Sequence, residues 1–439
     1  MSIHIKAPAS KSVSHRALIA AALAPGTSSL ANVLDSQDLQ CTMGCLQALG
    51  VTIHSPEAGR LSIQGYDVRR SGPGSILSLD VGESGTTCRL ITPIAALGQR
   101  PCRIAGRGRM HERPIQELAE ALHTQGAEFL WEEKPGCPPC LITPKGLRGG
   151  EVRISLEQSS QYLSGLLLAS PLAREATVIT VSGKKVLSWP YVALTLQTMQ
   201  AFGRAVRVQT RSQAGWEDVD WTELTSIIPE QTRFVIEPGN YVPCSFQVEG
   251  DWSNASYFLA AGLLHPQGVT VTGIEAKSLQ GDRRILDILQ AMGATPHIQA
   301  QTISTHPCAL QGIEVDMGSC PDLVPTVAVL AALAQGPTSI VNVAHLRIKE
   351  SDRAQAMATE LGRIGTGVDL REYGLTIHPQ PLPQDKRIQF CTYADHRVAM
   401  SLSLLELAGI QVELDQPQCV GKSFPDFWQA WNECSQPST

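Results

Sequence analysis

The sequence predicts a protein of the α/β (α+β) class, built from six similar helix-and-strand units gathered into two domains of three. Two observations carry that expectation. Helical segments end in glycine at Leu49-Gly50, Gln125-Gly126, Phe202-Gly203, Met292-Gly293 and Ile364-Gly365, at intervals of 76, 77, 90 and 72 residues. The long interval holds the polar, tryptophan-bearing stretch 209–231, which reads as an insertion. The chain of 439 residues then divides into six units of about 73 residues each. Composition agrees, because 43% apolar and 17% charged residues describe a folded globule with a large core.

Three units align along their length. Ala17-Leu18-Ile19-Ala20-Ala21 runs through Asp38 to Gly50, Phe258-Leu259-Ala260-Ala261 through Asp282 to Gly293, and Val327-Ala328-Val329-Leu330-Ala331 through Asp352 to Gly365. Each opens with an Ala/Leu-rich helix that is apolar on most faces and so is expected to be buried. Glycine or proline and a β-branched strand such as Val269-Thr270-Val271-Thr272 follow. A more amphipathic helix then reaches its glycine, where an αL residue closes the last turn, and a strand such as Val51-Thr52-Ile53-His54 comes next. The segments around Ser84, Ser159 and Asp395 fit the same outline more loosely. The domains are expected to join near Phe246 to Asp251.

The formal charge of −6 argues against a bulk nucleic-acid binder, and 5% aromatic residues argue against base-stacking platforms. Anionic ligands then require a local basic pocket. Twelve cysteines, mostly inside apolar stretches, read as reduced thiols of a cytoplasmic protein. Cys137-Pro-Pro-Cys140 has no second pair at zinc-finger spacing and reads as a proline-rich surface turn, so no metal is expected. The run Ala17–Ala24 after Lys6, Lys11 and Arg16 imitates a secretory signal, but similar runs recur mid-chain. No stretch approaches the roughly 18 to 20 apolar residues that span a bilayer.

Cations stand where helices begin. The positive end of a helix disfavours Lys or Arg in its first turn by about 0.3–1 kcal/mol. Yet Lys11-Ser12-Val13-Ser14-His15-Arg16, Glu83-Ser84-Gly85-Thr86-Thr87-Cys88-Arg89 and Tyr393-Ala394-Asp395-His396-Arg397 all open helices. A bound anion resolves that conflict, since helix-start amides, a cation and small hydroxyls together make a phosphate or carboxylate site. More cations lie at segment boundaries: Arg107, Arg109, Arg113, Lys349, Arg353 and Lys422. A ligand with two anionic groups suits so many. Three readings stay open on spacing alone. Asp322 is a plain N-cap or a functional carboxylate, Glu350 is an i,i+3 partner of Arg353 or an acid, and Ser159-Ser160-Gln161 is a cap or a binding turn.

In order along the chain, Lys11-Ser12-Val13-Ser14-His15-Arg16, Gly85-Thr86 with Arg89, Arg109-Met110-His111-Glu112-Arg113-Pro114, Ser159-Ser160-Gln161, Lys349-Glu350-Ser351-Asp352-Arg353, Asp395-His396-Arg397 and Lys422-Ser423-Phe424-Pro425-Asp426 resemble the motifs of the 5-enolpyruvylshikimate-3-phosphate synthase family. The resemblance implies transfer of the enolpyruvyl group of phosphoenolpyruvate to the 5-hydroxyl of shikimate 3-phosphate, with release of phosphate. It also implies two similar domains, each of three βαβαββ-type units with parallel buried helices, over residues 11–248 and over 1–10 with 249–439. The first is the shikimate 3-phosphate side, and the second is the phosphoenolpyruvate side.

By motif, Lys11, Ser12, Arg16, Ser159, Ser160, Gln161, Ser188, Asp322 and Lys349 are implied to hold shikimate 3-phosphate. Phosphoenolpyruvate falls to Lys11, Gly85, Arg113, Gln161, Arg353, Arg397 and Lys422. Asp322 is implied to act at the 5-hydroxyl, Glu350 to protonate the methylene carbon, and Lys11 to assist catalysis. No cofactor is implied, the partners are the two small molecules, and a monomer is expected. The herbicide glyphosate would compete with phosphoenolpyruvate near Gly85. The chain departs from the family at Glu83-Ser84, where many members carry Asn-Ala, at His345, where some carry Asn, and at Leu90, where others carry Pro. The related transferase acting on a UDP-sugar typically has a loop cysteine, and Ile104 to Arg113 has none.

Overall fold

One pattern of strand pairing recurs in the sheets of the computed structural model, which describes residues 2–70, 72, 74–184, 186, 188–384 and 386–435. Leu77–Asp80 shows it plainly. That strand lies parallel to Cys102–Ala105, the helix Gly85–Ala96 connects the two, and Cys140–Thr143 and then Glu128–Trp131 add antiparallel strands. A buried helix between parallel strands is the ordinary way to cross a sheet.

The chain divides into two compact units, residues 10–248 and residues 1–9 with 249–439. In the first, the other two sheets are built around Thr27–Ala31 and Thr177–Ser182. The second unit has sheets around Val269–Thr272 and Thr338–Val341 and the parallel pair Arg387–Phe390 and Gln411–Leu414. Two sheets take their first strand from across a crossing of the chain. Ile3–Lys6 lies parallel to Val269–Thr272, and Ser245–Gln247 lies parallel to Thr27–Ala31. Ser10, expected with residues 1–9, groups instead with 11–248, because it is the N-cap of the Lys11–Leu23 helix and accepts from Val13 N.

The helices divide as the sequence predicts. Trp252–Gly262, Val324–Ala332 and His396–Leu402 are buried at every position, as is Lys11–Leu23 from Val13 onward. The amphipathic helices end at Gly50, Gly126, Gly203, Gly293 and Gly365, all with positive φ, which is why those positions carry no side chain. The insertion forms the hairpin Arg207–Ser212 with Gly215–Val219, and the sheet it joins has five strands. One expectation fails. Cys137-Pro-Pro-Cys140 is buried rather than a surface turn, because Cys140 opens a core strand and its thiol is drawn inward.

Candidate functional site

In the unit of residues 10–248, serines cap the buried helices. Ser10 accepts from Val13 N at 3.5 Å and Ser84 from Thr87 N at 3.1 Å, while Ser159 Oγ accepts from Gln161 N at 3.2 Å beside the cap Ser160. These caps satisfy amides without adding charge. Lys11 opens the first helix and pairs with Asp38 at 3.0 Å. Ser12 gives its backbone carbonyl to Arg16 Nη1 at 2.7 Å. Arg16 is 1% exposed and donates also to Thr195 Oγ1 at 2.8 Å, Ser164 Oγ at 3.2 Å and the Tyr191 carbonyl at 2.9 Å. Each of those acceptors is neutral. Burial pulls this guanidinium down to about 10, so it remains charged at neutral pH.

Gly85 begins the helix that faces Arg113. A Cβ built there would fall on the Arg113 guanidinium, 2.5 Å from Cζ and 2.8 Å from Nη1, so glycine is what lets the two approach. Arg113 Nη1 donates to the Glu83 carbonyl at 3.3 Å. The Glu83 carboxyl lies over Gly108, where an added Cβ would be 2.6 Å from Oε1. Gln161 is fixed by its neighbours, accepting from Arg89 Nη1 at 3.0 Å and donating to Thr86 Oγ1 at 2.9 Å. Ser188 precedes the Trp189–Ala201 helix with a left-handed backbone.

In the other unit, aspartates stand at the helix starts. Asp251 accepts from Asn254 N at 2.9 Å, and Asp395 from Arg397 N at 3.0 Å. Asp322 lies in the turn Pro321–Leu323, whose N-cap is Cys320, so the plain-cap reading of Asp322 fails. Its carboxylate instead meets Arg353 Nη1 at 2.7 Å and Arg397 Nη2 at 2.8 Å. Arg353, 1% exposed, reaches Glu350 through Nη2 at 2.8 Å and Asp395 through Nε at 2.8 Å. The i,i+3 pairing of Glu350 is therefore present, though half-buried and part of a larger cluster. Burial alone would raise the Asp322 carboxyl; Arg397, Lys349 and Arg353 outweigh it and hold the group well below the usual carboxylate range. Lys422 is buried at the end of the turn Pro417–Lys422, anchored by Phe424, whose ring sits 6.1 Å from that of Phe258 and 5.7 Å from that of Phe427.

Sequence reasoning missed several members. Asp395 was visible only as part of a helix opening, yet it holds Arg353, and Ser351 Oγ donates to it at 2.9 Å. Asp282, 3% exposed and hydrogen-bonded to Ser253 Oγ, is pushed up to about 7 by burial and then by Asp322. A buried chain runs from His15 Nδ1 to Thr42 at 2.8 Å, from Thr42 to Thr87 at 2.8 Å and from Thr87 to Ser84 at 2.8 Å. No local signal announces these pairings. Among the described residues, no group of three or more His, Cys, Asp or Glu is placed to hold a metal ion.

Comparison with known proteins decides the family. The family model described as EPSP synthase (3-phosphoshikimate 1-carboxyvinyltransferase) matches residues 1–219 and 224–431. The chain belongs to the EPSP synthase family. It is 39% identical over 431 residues to the 3-phosphoshikimate 1-carboxyvinyltransferase of Psychromonas ingrahamii, covering 97% of this chain and 95% of that one. It is likewise 39% identical over 437 residues to the enzyme of that name from Haemophilus influenzae, at 98% and 95% coverage. Among solved structures it resembles an EPSP synthase from Acinetobacter baumannii with a TM-score of 0.76 and 26% identity, covering 99% of this chain and 96% of that one. The enolpyruvyl transferase NikO from Streptomyces tendae shares the fold, with a TM-score of 0.71 at 17% identity over 98% of this chain and 94% of that one. The chain is thus an enzyme, a carboxyvinyltransferase with the enolpyruvyl transferase fold. At the family departure Glu83, the carboxyl lies against Gly108.

Proposed function

We propose that the chain transfers the enolpyruvyl group of phosphoenolpyruvate to the 5-hydroxyl of shikimate 3-phosphate, with the residues of its two units dividing the work. The observation that carries the division is that one arginine, Arg353, holds both Asp322 and Glu350. The reaction needs such a pair, because the attacking hydroxyl loses a proton as C2 is attacked while the methylene carbon C3 gains one.

Shikimate 3-phosphate is held by Lys11, Ser12, Arg16, Ser159, Ser160, Gln161 and Ser188, with Asp322 and Lys349 at its hydroxyls. The buried charge of Arg16, met only by neutral acceptors, favours an anion there. Phosphoenolpyruvate is held by Lys11, Gly85, Arg113, Gln161, Arg353, Arg397 and Lys422. Its negative charge competes with Asp322 for Arg397 and Arg353, which raises the basicity of Asp322 at the moment the 5-hydroxyl must be deprotonated. Glu350 protonates the methylene carbon. A tetrahedral ketal phosphate forms, and the same groups reverse their roles while Lys11 and the arginines stabilise the departing phosphate.

The enzyme acts as a monomer in the cytoplasm. All twelve cysteines are free thiols, and exposed large apolar side chains such as Leu130, Ile298 and Leu370 are scattered over edge strands. No described helix is long and apolar enough to cross a membrane. The UDP-sugar reading is not favoured, since the relatives above are named for the shikimate acceptor.

Phosphate release measured with shikimate 3-phosphate and with a UDP-sugar as acceptor tests the substrate, and only the first is expected to turn over. Asp322→Asn and Glu350→Gln are expected to lower kcat about 10²–10⁴-fold with much smaller changes in KM. Retained turnover in Asp322→Asn would remove the base from this scheme.

A further inference from the structure

Ser188 has a left-handed backbone, φ 59° and ψ 49°, directly before the Trp189–Ala201 helix. A residue with a Cβ keeps that geometry only where its surroundings hold it. The next residue supplies a hold. Trp189 is 4% exposed, and its indole N–H donates to the Leu224 carbonyl at 2.7 Å. An indole nitrogen is a donor only, so once buried its orientation follows the acceptor it finds.

Leu224 closes the turn Trp221–Glu223, which Asp220 caps by accepting from Thr222 N at 2.9 Å and from Thr222 Oγ1 at 2.7 Å. Residues 220–223 are the four that lie between the two stretches matched by the family model. The return path is pinned as well: Ile227 is buried, Ile228 N donates to Thr232 Oγ1 at 3.2 Å, and Glu230 N donates to the Val181 carbonyl at 2.7 Å. The Trp189 ring also lies 6.4 Å from that of Phe234 on the strand Thr232–Ile236.

We propose that the segment 220–228 is a strap that fixes the Ser188 turn through Trp189, making Trp189 a positioning residue for shikimate 3-phosphate. The inference rests on the assignment of Ser188 to that substrate. The same helix start supplies Tyr191 O and Thr195 Oγ1 to Arg16, so a displaced first turn registers at a second residue assigned to the same ligand.

Trp189→Phe keeps an aromatic ring and removes the N–H together with part of the indole's volume. It is expected to raise KM for shikimate 3-phosphate about three- to tenfold, with kcat and the KM for phosphoenolpyruvate held within about twofold. Replacing Asp220–Glu223 by two glycines is expected to do the same, and combining the two changes to add little more. An unchanged shikimate 3-phosphate KM in Trp189→Phe, with that KM raised in Ser188→Ala, overturns the strap. Fully additive effects in the combined variant overturn its connection through Leu224. A parallel loss for both substrates makes Trp189 merely structural and overturns the proposal too. If Ser188→Ala leaves that KM unchanged, the assignment of Ser188 falls and the strap with it. Should the loop variant fail to fold, Trp189→Phe and Ser188→Ala decide the matter.

Discussion

Arg16 and Arg353 are both 1% exposed, yet their surroundings are opposite. Arg16 spends its donors on two hydroxyls and two backbone carbonyls, whereas Arg353 is met by Asp322, Glu350 and Asp395. The helix caps follow the same division, Ser10, Ser84 and Ser160 in one unit against Asp251 and Asp395 in the other. One unit thus surrounds a buried positive charge with neutral acceptors. The other balances its own charge with carboxylates that can also move protons. The same repeat thus meets a buried arginine in two ways, with neutral acceptors around Arg16 and with carboxylates around Arg353.

Stability gives the largest expected contrast. Arg353→Gln leaves three carboxylates around a lost cation and is expected to cost about 3–5 kcal/mol. Arg16→Gln removes a desolvated charge that no carboxylate balanced, and is expected to cost about 1–3 kcal/mol while weakening shikimate 3-phosphate. Denaturant midpoints of the two variants measure the difference, and equal losses would break the comparison.

Gly85→Ala tests the unit of residues 10–248 at smaller scale. The added methyl meets the far end of a flexible side chain, so Arg113 must swing aside. KM for phosphoenolpyruvate is expected to rise roughly tenfold, about 1.4 kcal/mol, and the inhibition constant of glyphosate to rise further, with the KM for shikimate 3-phosphate unmoved. Equal proportional losses for inhibitor and phosphoenolpyruvate would reduce Gly85 to a shaper of its loop.

The smallest effect is on pH dependence. Asp282, pushed up from 3.8 to about 7, keeps its proton in the fold at pH values where the unfolded chain has lost it. Its contribution is therefore full at acid pH and lost as pH rises through about 7. Asp322 has the opposite sign, losing its contribution as pH falls. Asp282→Asn is expected to flatten the decline of Tm between mildly acidic and neutral pH, and an unchanged slope would mean that Asp282 is already ionised.

What could be read from sequence was local. Buried helices show in Ala/Leu runs such as Ala17–Ala22, their partners' ends in Gly50 or Gly293, and the insertion in one stretched interval. The cations at helix starts stand out because each breaks a short-range rule. Partnership was hidden, since Arg16 finds Thr195 179 residues away and Arg353 finds Asp395 42 residues away, and nothing near either residue specifies the other. Burial of Cys137 and Cys140 was hidden for a related reason: proline marks a turn, and only the completed sheet decides which way the turn's thiols point.

The exchanged first strands set an order of events on the ribosome. The sheet around Thr27–Ala31 lacks only Ser245–Gln247, so residues 10–248 can close as soon as that strand emerges. Ile3–Lys6 waits longer, because its partner Val269–Thr272 lies beyond residue 248. Ile3–Lys6 thus stays unpaired until Val269–Thr272 has been made, an exposed edge carried while all of residues 10–248 are synthesised. An extension fused ahead of Ile3 would load that late pairing step and would be felt in the unit that holds Asp322 and Arg353 rather than in the unit that follows it along the chain.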